Sequence, residues 1–352
     1  MKKKSVAVLF GGCSPEHCVS LKSAHAVLTN LNADKYNVIP IGITKKGEWC
    51  HYTGSYENLP RDDWFGDKAH CTPAVLSPDR TAHGILLLDN GRFKTMKLDA
   101  AFPVLHGKNG EDGTVQGLIE LAGIPLVGCD TLSSALCMDK HRAHSLVAKQ
   151  GISVPKSVVV RRHEALGADR LTDGLQYPLF VKPVRAGSSL GITKITEESQ
   201  LPRAIRLALA HDSEAIVEES IDGFEVGCAV LGNDTLITGR VDEIEVFEGF
   251  FDYAEKYTLK NSRIHVPARI DANTEARIQE TAKLIYGTLG CAGFARVDMF
   301  YTPGGEIVFN EVNTIPGFTP FSRYPNMLKG VGLSFETILD KLIELSGERC
   351  AT

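Results

Sequence analysis

Residues 291–325 read CAGFARVDMFYTPGGEIVFNEVNTIPGFTPFSRYP, and their pattern decides the fold. Phe294 to Tyr301 is apolar, interrupted by Arg296 and Asp298. Thr302-Pro303-Gly304-Gly305 is a turn signal, and Glu306 to Val312 is the returning strand. Glu311 and Asn313 lie two apart, so on a strand they leave the same face. Pairing through the turn brings Asp298 to the same end. Two carboxylates and an amide offer only oxygen ligands, which suit Mg²⁺ held beside substrate phosphates. Arg296 shares the face of Asp298 and is placed to meet a phosphate or an oxyanion. The structural alternative is a hairpin with a solvated acidic edge.

The chain has 352 residues, 43% of them hydrophobic and 23% charged, and a net charge of −5. Such a length predicts two or three domains of an ordinary globular protein. The acidic balance argues against nucleic acid as a partner. The apolar run after Met1-Lys2-Lys3-Lys4 is broken at once by Gly11-Gly12, and no segment reaches the roughly 20 apolar residues of a membrane span. The expectation is a cytoplasmic protein. Nine scattered cysteines include no CxxC pair, which argues against a disulfide scaffold or zinc site.

Val6 to Phe10 is a short apolar strand, followed by Gly11-Gly12 and a helical run from Leu21 to Leu31. Strand, glycine turn and helix make a mononucleotide-type start. Ser14 or Glu16 could cap that helix. Residues 44–97 carry no clear pattern. Val104-Leu105-His106 opens a second glycine-rich loop, where a histidine is more often structural than catalytic. Ser133 to Gln150 predicts a helix carrying Lys140. Tyr177 to Pro183 is a buried strand whose Lys182 needs an anion. Beyond it, Arg185 to Gly191 forms a small loop whose N–H groups and Ser188 and Ser189 hydroxyls can wrap phosphate oxygens. Ala215 to Ile221 is a strand ending in acids. Residues 245–267 have the length and irregularity of a lid. Ile278, Ala282, Ile285 and Leu289 make the buried stripe of a helix, and Ser334 to Leu345 reads as another.

The run RVDMF…EIVFNEVNTIPGFT resembles the metal-binding end of ATP-grasp ligases, in particular the D-alanine–D-alanine ligase family. GGxSxExxVS, HGxxGEDGT, MDK, VKPVRAGSSLG and FFDYxEKY resemble the family's other motifs, in family order, over about residues 5–346. The resemblance implies an ATP-grasp fold of mixed α/β and α+β class. It predicts an N-terminal parallel-sheet domain (1–135), a small central domain (136–222) and a C-terminal catalytic domain (223–352). It also implies roles for particular residues. Glu16 would hold the ammonium of the first D-amino acid, with Ser20 and His106 also on the substrate. Lys140, Lys182, Ser189, Glu218, Glu219, Ile221, Glu225, Lys256, Phe300 and Asn310 would bind ATP. Asp298, Glu311 and Asn313 would hold two Mg²⁺, with Mn²⁺ as a substitute. Arg296 and the Gly317 N–H would stabilise the oxyanion, and Tyr257 would close over the substrate with Glu16 and Ser188.

Further implications are an acyl phosphate intermediate and a homodimer. Tyr257 stands where D-lactate-using relatives carry His, which implies an amino-acid nucleophile. Arg323, after Ser322, stands where ordinary members tend to carry Leu or Met. Together these two positions resemble the D-alanine–D-serine ligases of vancomycin resistance, with a guanidinium donating to the serine hydroxyl. The alternative is an ordinary D-alanine–D-alanine ligase.

Overall fold

The computed structural model describes residues 2–89, 91–162, 172, 174–187, 190–247 and 262–349. Its first sheet begins with β1 (Lys4–Gly11), α1 (His17–Asn30) and β2 (Tyr36–Ile43). Val6, Val8 and Phe10 enter one core and Ala7 and Leu9 another, so β1 is buried on both faces. That is the pattern of a central parallel strand. It pairs in parallel with β2 and with β7 (Ala100–Val104).

The expected parallel sheet is only the centre of what forms. The uninterpreted stretch builds β3 (Trp49–Tyr52), β4 (Cys71–Leu76), β5 (Gly84–Asp89) and β6 (Arg92–Lys97). These extend the sheet antiparallel, in the order β6-β5-β4-β3-β2-β1-β7. They escaped the sequence because the outer strand has no buried face: five of the six residues of β6 are exposed.

Past α2 (Thr114–Leu121), the single expected helix is two, α3 (Thr131–Met138) and α4 (Lys140–Ala148). The break is Asp139, whose backbone is extended (ψ 96°) and whose side chain caps α4 by accepting from Arg142 N–H at 3.0 Å. Lys140 is therefore in a first turn, near the cleft. Helix α3 runs across position 135.

The second sheet contains β8 (Ser157–Arg161), β9 (Leu179–Pro183), β10 (Thr193–Ile195) and β11 (Glu214–Glu219), in the order β10-β9-β11-β8. Helix α5 (Leu201–Leu209) covers it through Leu201, Ala204, Ile205 and Ala208.

The third sheet is antiparallel, with β12 (Phe224–Leu231) between β14 (Asp242–Val246) and β16 (Phe294–Tyr301). Outside these lie β15 (Ser262–His265) and β17 (Ile307–Asn313), and β13 (Ile237–Thr238) also pairs with β12. One face buries Ala295, Val297 and Met299 against α6 (Ala272–Thr288), whose expected stripe Ile278, Ala282 and Ile285 is fully buried. Helix α4 adds Ala143 and Val147 to the same core. The other face keeps Arg296 and Asp298. Helix α7 (Arg323–Lys329) leads to α8 (Phe335–Glu348), whose Ile338, Leu339 and Leu342 return to the core beside β1. The last helix thus ties the third sheet to the first.

Candidate active site

The hairpin β16–β17 meets the expectation with one addition. Tyr301 faces Ile307 and Met299 faces Phe309, a regular ladder that would set Asp298 against Asn310. A bulge intervenes, and Asp298 pairs with Glu311 and Arg296 with Asn313. Directly opposed residues share a face, so the extra residue turns Glu311 and Asn313 onto the side of Asp298. Arg296 grips Asp298 with Nε to Oδ1 and Nη2 to Oδ2, both 2.7 Å, and Asn313 Nδ2 donates to Oδ2 at 2.9 Å.

Glu311 lies 3.3 Å from Lys140 Nζ, which also donates to the Ala186 carbonyl at 3.0 Å. Across the cleft, the buried Lys182 has its anion in Glu218, at 2.5 Å. A cavity of about 470 Å³ opens here, lined by Lys140, Lys182, Glu218, Glu219, Ile221, Glu225, Phe300, Asn310 and Glu311. Every expected nucleotide residue among the described ones is in that wall. Phe180 and Ile192 add apolar surface that the sequence did not announce. The other carboxylate oxygen of Glu218, Oε2, is buried with no hydrogen-bond partner among the described residues. A buried acceptor left open beside an apolar wall fits a base carrying an amino group. The opposed pair Asp298 and Glu311, with oxygen donors only, fits a hard divalent cation at the phosphate end.

The loop that carries Glu16 meets this cleft from the other side. Glu16 is the N-cap residue of α1, yet its side chain makes no capping bond. Its Oε2 lies 2.4 Å from where a Cβ on Gly107 would sit and 2.8 Å from one on Gly187. Only hydrogen atoms on those two glycines let the carboxylate stand between the second glycine loop and the phosphate loop.

Three residues expected at the substrates are engaged within the protein. Ser20 is fully buried: it accepts from Gly11 N–H at 2.8 Å and donates to the Val104 carbonyl, so it braces β1 against β7. His106 has both ring nitrogens engaged within the protein. Nδ1 faces the Ile315 carbonyl at 2.9 Å and Nε2 faces Ser23 Oγ at 3.0 Å. A carbonyl only accepts, so Nδ1 carries the proton and Nε2 accepts from Ser23. Burial, chiefly, holds this imidazole below its ordinary pKa. The Arg323 guanidinium is held by three carboxylates of the fold. It donates to Asp242 twice and to Glu225 once, and Nη2 lies 3.4 Å from Asp298. Burial opposes its charge, but Asp242 and then Asp298 hold it well above the usual arginine value.

Ser322 Oγ stays in its own turn, accepting from Thr319 N–H at 3.0 Å. It is also the nearest atom to a Cβ built on Gly317, at 3.2 Å. Ser188, Ser189, Lys256 and Tyr257 lie outside the described residues. Two participants were missed: Asp242, which holds Arg323, and Glu111, which holds the chain ahead of Gly317. Glu111 stood within a glycine-rich motif that could have marked it, whereas Asp242 carried no signal.

A nucleotide cavity between two antiparallel sheets, with lysines and a carboxylate hairpin at its phosphate end, defines an ATP-grasp enzyme, an ATP-dependent ligase. Family profiles sharpen this: D-ala D-ala ligase N-terminus matches residues 5–129 and D-ala D-ala ligase C-terminus matches 146–344. The chain belongs to the D-alanine–D-alanine ligase family. Among solved structures, the VanG D-Ala:D-Ser ligase from Enterococcus faecalis is 63% identical, with a TM-score of 0.92, covering 98% of this chain and 100% of that one. The vancomycin B-type resistance protein VanB of Enterococcus faecalis is 47% identical over 99% of this chain and 100% of its own length. A D-alanine–D-alanine ligase of Caldicellulosiruptor bescii is 42% identical over 99% of this chain and 96% of its own.

Proposed function

We propose that this ligase joins D-alanine to a second D-amino acid, with D-serine favoured, and so makes a dipeptide precursor of peptidoglycan that serves vancomycin resistance. The observation that carries the reading is the opposed pair Asp298 and Glu311, set beside Arg296, with Glu311 in the wall of the cavity that Lys140 and Lys182 also line. The preference for D-serine is supported by the likeness to a D-Ala:D-Ser ligase at 63% identity. The likeness to a D-alanine–D-alanine ligase at 42% identity keeps D-alanine as the second reading.

Glu16 holds the ammonium of the first D-alanine and turns its carboxylate toward the nucleotide. A carboxylate oxygen attacks the γ-phosphorus of ATP, ADP leaves, and D-alanyl phosphate forms. The amine of the second substrate attacks the acyl carbon and loses a proton, and inorganic phosphate departs. Arg296 and the Gly317 N–H face the oxygen that gains charge in that step. Lys140 and Lys182 neutralise phosphate, so positioning and charge compensation do most of the work. Asp298, Glu311 and Asn313 would hold two Mg²⁺, which would supply positive charge against the phosphates. Ser188, Ser189, Lys256 and Tyr257 are assigned to the loop and lid that shield the acyl phosphate from water. We assign the enzyme to the cytoplasm as a homodimer.

Phosphate release with D-alanine alone, D-serine alone and both together tests this. Release that is greatest with the mixture is the expected result. No release under any of the three conditions refutes the ligase assignment.

A further inference from the structure

Both backbone polar groups of Ile315 are gripped by one loop. Its N–H donates to Glu111 Oε1 at 3.0 Å, and its carbonyl accepts from His106 Nδ1 at 2.9 Å. The second oxygen of Glu111 accepts from Gly107 N–H at 2.7 Å, closing the loop on itself. Three residues further on, Phe318 N–H donates to Ser23 Oγ at 3.2 Å, and Ser23 in turn serves His106. Gly317 lies between these two held points.

The site presents two N–H donors to one side chain. A carboxylate has an acceptor oxygen for each, whereas glutamine has one oxygen and an NH₂ that would face a donor. The acid is retained here although its surroundings oppose its charge, and in either protonation state it turns an oxygen to each N–H. Lost hydration, and then the negative charge of Glu16, push its pKa up to about 8. An acid kept where its charge is disfavoured is more readily explained by a task than by packing.

We propose that Glu111 is a positioning residue for the ligation step: by holding Ile315 N–H it aims the Gly317 N–H at the tetrahedral oxyanion. This deepens the ligase reading above and rests on it. Glu111 does not line the nucleotide cavity, so its loss should separate the two half-reactions. Scrambling of label between the β,γ-bridge oxygen and the non-bridge oxygens of the β-phosphate of ATP, with D-alanine present, reports formation of the acyl phosphate. Dipeptide appearance reports the second step.

Glu111→Gln should lower kcat for dipeptide by about 100-fold, the order expected for a misplaced catalytic donor, while label exchange and the KM for ATP change less than about threefold. Glu111→Asp keeps both acceptor oxygens, shortens the reach by one methylene, and should lose less. It also carries the test if the glutamine variant fails to fold. Equal loss of exchange and ligation in the variant that folds overturns the proposal, as does no loss in either. A wild-type enzyme without label exchange would refute the ligase reading itself, whatever the variants do.

Discussion

The Arg323 guanidinium holds the Asp242 carboxylate by both oxygens, Nε to Oδ2 at 2.7 Å and Nη2 to Oδ1 at 2.8 Å, although 81 residues separate them. Asp242 is completely buried and also accepts from Gly227 N–H at 2.9 Å. Gly227 makes the approach possible: a Cβ there would stand 2.4 Å from Arg323 Nη2. The same guanidinium reaches Glu225 in the nucleotide wall and Asp298 at the hairpin. A cation fixed in the fold thus joins Glu225 in the cavity wall to Asp298 in the hairpin.

Removing that cation should be expensive. Arg323→Leu leaves Asp242 buried without its partner, a change that typically costs about 3–5 kcal/mol. Melting should show a large loss, partly recovered in Arg323→Leu with Asp242→Asn. If Arg323 also shapes the second-substrate end, the double variant will lose D-serine use by about tenfold more than D-alanine use. Equal loss for both amino acids would remove Arg323 from substrate choice.

Glu311→Gln keeps the size of the side chain and removes a charge from the opposed pair. Mg²⁺-dependent turnover should fall by at least about 100-fold, since even residues that only support metal ligands matter by 10–100-fold. The melting temperature without nucleotide should stay near that of the wild type. Turnover and Mg²⁺ titration curves that match the wild type would reject the metal assignment.

Lys182 and Glu218 form a pair that is 6% and 4% exposed. Lys182→Ala strands a buried carboxylate and should destabilise the protein by about 3–5 kcal/mol. Adding Glu218→Gln should restore most of the melting temperature but not nucleotide affinity, since phosphate still lacks its cation. Calorimetric titration with ATP separates the two effects. Restored affinity in the double variant would show that Lys182 serves only Glu218.

Glu111 should leave a mark on the pH dependence of stability. Its carboxyl has a pKa of about 8 in the fold, against 4.5 ordinarily. Between those values the folded state binds more protons than the unfolded one, so stability falls as pH rises through that window. Glu111→Gln has no such proton to lose. The melting advantage of the wild type over Glu111→Gln should therefore shrink by about 4 °C from pH 5.5 to pH 8.5, roughly the effect of 3 kcal/mol. A constant difference would contradict the raised value.

The catalytic hairpin was legible because strand alternation, a glycine turn and charged residues at alternate positions all agree there. What the pattern lacked was the bulge near Asn310, which fixes the facing of Glu311 through one extra residue and no signature glycine. Lys182 announced its need for an anion, but its neighbour Glu218 could be named only once β9 and β11 paired. Ser20 and His106 sat in motifs that resembled substrate contacts, and their hydrogen bonds to Gly11, Val104, Ser23 and Ile315 became visible only in the fold. The strands within 71–97 were unreadable since they are short, and Phe93 on the outermost one is 70% exposed. Asp242 resembled any acid at a strand start. Its meaning depends on a partner far along the chain, the kind of contact that local pattern does not encode.

The most direct measurement is the identity and stoichiometry of the product formed from equimolar D-alanine and D-serine with Mg²⁺ and ATP, read by mass spectrometry alongside ADP. The expected product is chiefly D-alanyl-D-serine, one ADP per dipeptide, lost on chelation of the metal. Consumption of ATP without dipeptide, or dipeptide made equally well without divalent metal, would contradict the assignment of Asp298 and Glu311.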